Sequence, residues 1–139
     1  MKKIGIVTLV LVLLLGLGTV AAYARTKKVD LCVCPKVGDP LGDVVGWVIA
    51  NKTAAGEIIV EVHVHKGQAN TVFYVFIKYD EWKWLDDAHR DGDLNTNRQG
   101  NGNFHGTISS GGVTWVDVVV RVSQADGSKP RYVTGKFPI

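Results

Sequence analysis

Along most of this chain apolar and polar positions alternate one by one, the period of a strand with one buried face and not that of a helix. "GEIIVEVHVHKG" puts Ile58, Val60, Val62 and Val64 on one face and Ile59, Glu61, His63 and His65 on the other, mostly polar one. "GVTWVDVVVRVS" repeats the scheme, with Val116, Val118, Val120 and Val122 inward and Trp115, Asp117 and Arg121 outward. "DVVGWVIAN" and "NTVFYVFIKY" are apolar on both faces, which suits central strands or strands covered from outside. Turn formers separate these runs in "NKTAAG", "HKGQAN", "SSGG" and "ADGSKP". With "DLCVC" in front, two short strands flanking a glycine run, and "RYVTGKF" at the end, the count reaches about seven or eight strands. The pattern predicts an all-β fold, a single antiparallel β-sandwich of the immunoglobulin-like kind. One segment departs from it. In "DEWKWLDDAHRD", residues 80–91, Trp82, Leu85 and His89 fall at helical spacing, which predicts a short helix or irregular loop capping one end.

The start of the chain adds a destination. "MKK" is a short basic opening, no charge occurs from Ile4 to Ala24, and "TVAAYA" ends the apolar run with small residues. That is the layout of a secretory signal peptide cut between Ala24 and Arg25, which predicts a secreted, periplasmic or cell-surface protein. An uncleaved anchor is the rival reading, but Arg25, Lys27 and Lys28 would then oppose the positive-inside bias. Cleavage leaves residues 25–139, enough for one domain with a modest core and no remaining membrane segment. Lys2 and Lys3 leave with the signal, so the formal charge drops from +3 to +1. No Lys/Arg cluster survives to neutralise phosphates, which argues against nucleic acid as a partner. Only two cysteines occur, Cys32 and Cys34, too close in sequence to form a stabilising disulfide scaffold.

Chemistry enters through three stretches. The first is "DGDLNTNRQGNGNFHG", where Asp91, Asp93 and Asn95 alternate as calcium ligands do. An EF-type loop also needs glycine sixth and glutamate twelfth, and Thr96 and Gly102 stand there instead. The same residues make an ordinary hairpin turn, with Leu94 and Phe104 as its inward pair, and that reading is preferred. A non-EF calcium site joining Asp86, Asp87 and Asp91 at the sandwich edge is the alternative. The second is the pair of i, i+2 motifs, Cys32/Cys34 and His63/His65. If their strands were neighbours, two thiolates and two imidazoles would suit zinc or copper. The simpler reading makes the histidines a solvated strand face and the cysteines small core residues. The third is aromatic: Tyr79, Trp82 and Trp84 beside Asp86 and Asp87 would suit a sugar ring or a protein partner, unless the indoles plug the end of the sandwich.

The run "GDLNTNRQGNGNF", preceded by "NTVFYVFI" and "GEIIVEVHVHKG", resembles a group of small secreted prokaryotic β-sandwich domains. Their pattern runs from a strand ending in Lys-Gly, through an Asn-Thr strand, to a Gly-x-Leu-x-Thr-Asn … Gly-x-Gly-x-Phe hairpin. Here Gly92, Leu94, Thr96, Asn97, Gly100, Gly102 and Phe104 carry it. These are turn motifs, so the resemblance implies topology and no chemistry. "VHVHKG" is similar over a few residues to the copper-binding strand of copper–zinc superoxide dismutases, but the further histidines and the zinc-site aspartate of that family have no suitable counterparts. No nucleophile elbow or helical zinc motif occurs, and adjacent Asp86 and Asp87 diverge, so an enzyme is not expected. The expected function is an exported binding or structural module without a resident cofactor, its partner a protein or carbohydrate at the cell surface. A zinc- or copper-binding protein using the Cys and His pairs is the alternative.

Overall fold

The alternation in residues 58–64 decides the middle of the fold: Ile58, Val60, Val62 and Val64 are fully buried, while Ile59, Glu61 and His63 on the opposite face are half-buried. The computed structural model describes residues 25–34, 40–79, 86–109, 111–123 and 130–139. The expected signal peptide and the residues Trp82 and Trp84 lie outside that set. The strands are β1 (Arg25–Cys34), β2 (Val44–Lys52), β3 (Ile58–Val64), β4 (Val72–Lys78), β5 (Gly92–Asn95), β6 (Gly102–Ile108), β7 (Trp115–Arg121), β8 (Arg131–Val133) and β9 (Phe137–Pro138).

All pairings are antiparallel. They join into one path, β5-β4-β7-β8-β1-β2-β3-β6, with β9 added beside β7. The two ends of the path, β5 and β6, lie against each other, so the sheet curls into a nearly closed, barrel-like shape. The all-β, antiparallel expectation therefore holds, and the ladder runs as one continuous path. Inside the curl the inward faces form one core, from Leu31 and Val48 through Val60, Phe73, Val75, Leu94, Val118 and Tyr132. Each such apolar side chain removed from water stabilises the fold by about 1.5–3 kcal/mol before chain entropy is charged against it.

On the outer face of β4 and β7 the outward-pointing Arg121 is covered. Phe76 and Val119, paired in register, are buried although they point away from the core, and Arg121 is only 5% exposed. A buried guanidinium needs partners on several sides. Its Nη1 donates to Asp87 Oδ1 and to the Val122 carbonyl, each at 2.8 Å, and its plane lies 4.5 Å over the Phe76 ring. Ser123 Oγ donates to the other oxygen of Asp87 at 2.5 Å. This clamp holds the segment expected to be helical, whose described part is a single 3-10 turn, Asp87–His89. Asp86 caps it, accepting from the Ala88 and His89 amides and from the His89 ring. The His89 hydrogen bond holds the Asp86 carboxyl below its ordinary range.

Candidate functional site

The glycine-rich stretch proves to be a corner of the barrel. β5 and β6 follow each other in sequence, yet β5 forms its ladder with β4 and β6 with β3. No ladder joins them to each other among the described residues, which corrects the hairpin expectation. Residues 96–101 instead link the two ends of the sheet and interlock with residues 65–71. Thr96 Oγ1 donates to the Gln68 carbonyl at 2.6 Å and accepts from the Thr71 amide at 3.0 Å. Asn97 Oδ1 accepts from the Gln99 and Asn101 amides, while its own carbonyl accepts from Asn70 and Gly100. Gly100, at φ +80°, passes so near Gly67 that a Cβ there would sit 2.1 Å from the Gly67 oxygen. Below the corner Gly92 lies against the Phe104 ring and Gly102 against Leu94 and the Asn95 carbonyl. Leu94 is fully buried and Phe104 half-buried against the core, though not as a hairpin pair.

This geometry spends the suggested calcium ligands elsewhere. Asp91 Oδ2 accepts from the Ile77 amide at 2.6 Å, and Asp93 Oδ1 accepts from Arg90 Nε at 2.7 Å. Asn95 is exposed on the same side of β5 as Asp93. Among the described residues no three His, Cys, Asp or Glu side chains already stand together as a metal-binding group. The Cys/His quartet is likewise not assembled, because β2 lies between β1 and β3. Cys32 and Cys34 are buried at the end of β1 beside β8. Burial, with the Asp30 carboxylate adding to it, pushes the Cys32 thiol above its ordinary range and away from the thiolate that metals and electrophiles require. Tyr79 is half-buried against the core, which removes it from an exposed aromatic platform.

What the fold does assemble is the outer face of β1, β2, β3 and β6. Register places Asp30, Trp47, His63 and Asn103 in one row across the four strands, and Lys28, Ile49, Glu61 and His105 in the next. His65 stacks on Trp47 with centroids 4.4 Å apart, His63 at 5.3 Å, and Lys28 Nζ lies 4.6 Å from the same ring. His63 Nδ1 is 2.9 Å from Asn103 Oδ1. An amide oxygen only accepts, so Nδ1 carries a proton and Nε2 is the ring nitrogen turned toward Glu61. That Nε2 is buried without a hydrogen bond, 3.5 Å from Glu61 Oε2, and His105 Nδ1 lies 3.9 Å from Glu61 Oε1. Two shallow depressions mark the face. One is lined by Glu61, His63, Asn103, Phe104 and His105, the other by residues around Trp47 that include Lys28, Asp30, His65 and Lys66.

Sequence reasoning found His63 and His65 here but missed Trp47, Glu61, Asn103 and His105. The available signal was the repeated i, i+2 spacing in Glu61/His63 and Asn103/His105; the missing information was that β3 and β6 pair. A second isolated group sits on β7: Asp117 Oδ1 is buried without a hydrogen bond, with Lys78 Nζ 3.9 Å from the other carboxylate oxygen. Burial pushes that carboxyl up, opposed by Lys78 and Lys136. Comparison of the chain with protein-family models, curated proteins and solved structures found no match.

Proposed function

We propose that this chain is an exported binding module whose working surface is the outer face of β1, β2, β3 and β6. The observation that carries the reading is the polar and aromatic row Asp30–Trp47–His63–Asn103, in register across four strands and flanked by two depressions. A face built only for solvation has no reason to stack two imidazoles on an indole or to leave a ring nitrogen buried and unpaired. Export rests on the basic start, the apolar run and the small residues before Arg25. We also assign the curled sheet to the flattened, sandwich-like kind, because Ile77 of β4 reaches across the interior to Gly106 of β6. Grouping with the small secreted prokaryotic domains rests on the sequence motif alone, carried by Gly92, Leu94, Thr96, Asn97, Gly100, Gly102 and Phe104.

The test is a titration of the 15N-labelled full-length chain, followed by NMR, with divalent cations and with soluble cell-surface oligosaccharides in separate series. Amide shifts confined to the neighbourhoods of Trp47, His63, Asn103 and His105 support the reading. No response to any probe, or a response centred on the β4–β7 face, overturns it.

A further inference from the structure

We propose that Glu61, His63 and His105, which do not make a metal-binding group as they stand, become a binding site for a divalent transition cation once the exposed His105 ring turns toward Glu61, with zinc as its simplest occupant. The inference deepens the binding-face reading and rests on it. The first argument is the mismatch at His63. Its Nε2 is buried without a hydrogen bond and faces a carboxylate oxygen, and in the neutral ring a lone pair stands there that a cation between the two atoms would satisfy. Zinc–nitrogen and zinc–oxygen bonds of about 2.0–2.2 Å meeting near a tetrahedral angle hold their donor atoms about 3.4 Å apart. The observed separation is 3.5 Å.

The second argument is the support behind the ligand. A metal-binding imidazole commonly donates its other N–H to an oxygen that fixes tautomer and ring orientation, and Asn103 Oδ1 occupies that place. Trp47, stacked on His63, restrains the ring from the side. The third is the remaining coordination. Glu61 and His105 are register partners on β3 and β6, and His105 Nδ1 is 3.9 Å from the second carboxylate oxygen. The His105 side chain is 64% exposed, so rotating its ring toward Glu61 meets little packing. The depression between them is open to solvent and leaves a fourth position for water. A proton on Nε2 would answer the His63 mismatch too, but it would give His105 and the depression no part.

Calorimetric titration of the full-length chain with zinc chloride tests this, since residues 1–24 contain no His, Cys, Asp or Glu to compete. One zinc per chain is expected. Glu61→Gln and His105→Ala each weaken binding at least about tenfold, and Asn103→Ala by a similar factor through loss of the supporting hydrogen bond. The Cys32→Ser/Cys34→Ser double variant binds as the parent does. Cobalt(II) in place of zinc gives the visible absorption of a four-coordinate site, and His105→Ala removes it. Absence of zinc binding, or binding that survives both Glu61→Gln and His105→Ala, overturns the proposal. So does binding lost in the cysteine variant. Oligosaccharide-induced shifts at Trp47 and His63 without zinc binding would sink the metal site alone; silence in both experiments would sink the binding face with it.

Discussion

The corner and the outer face of β3 and β6 lie at neighbouring parts of one barrel and treat their polar groups in opposite ways. At the corner nearly every donor meets an acceptor: Thr96 bridges two strand connections, and Asn97 gathers amides on its side chain and its carbonyl. On the face, His63 Nε2 has no hydrogen bond, and the contacts of Glu61 with both histidines are 3.5 and 3.9 Å. Both regions are polar, so polarity alone does not separate them. Saturation does. A saturated polar cluster fixes a shape, whereas an unsaturated one beside a depression retains bonding capacity for something else.

Three substitutions sharpen this contrast. The largest effect is expected for Gly100→Ala, which forces a side chain into the left-handed region and against the Gly67 carbonyl. The penalty is about 3 kcal/mol or more, read as a lowered midpoint in denaturant unfolding. Thr96→Val keeps shape but removes the hydroxyl, stranding the Gln68 carbonyl and the Thr71 amide; about 2 kcal/mol is expected by the same measurement. His105→Ala, on the exposed face, changes stability by no more than about 0.5 kcal/mol in metal-free buffer. If His105→Ala destabilised as much as Thr96→Val, the face would be a structural element and the contrast would collapse.

How much of this was legible beforehand follows the range of the forces involved. Strand faces were readable because alternation is local: the inward sets of β3 and β7 are those the pattern predicts. The burial of Arg121 was not, since its partners Asp87 and Phe76 are distant in sequence and nothing in "DVVVRVS" announces them. The glycine run was read as a hairpin because turn chemistry is local, while the decision to pair β5 with β4 and β6 with β3 is not. The same blindness governed the site. His63 was visible as half of a His-x-His pair, but Glu61 and His105 become one cluster only through the β3–β6 register. Cys32 and Cys34 invited a metal by spacing alone, and one intervening strand separates them from the histidines.

The corner also bears on the order in which the chain folds. It unites the two ends of the sheet through a link of six residues, 96–101, so it closes with little loss of chain entropy. The β1–β8 ladder, by contrast, joins Cys32 to Val133, about a hundred residues apart, and must wait for most of the chain. A seam that in the finished barrel looks like its last closure is therefore spanned by a short link.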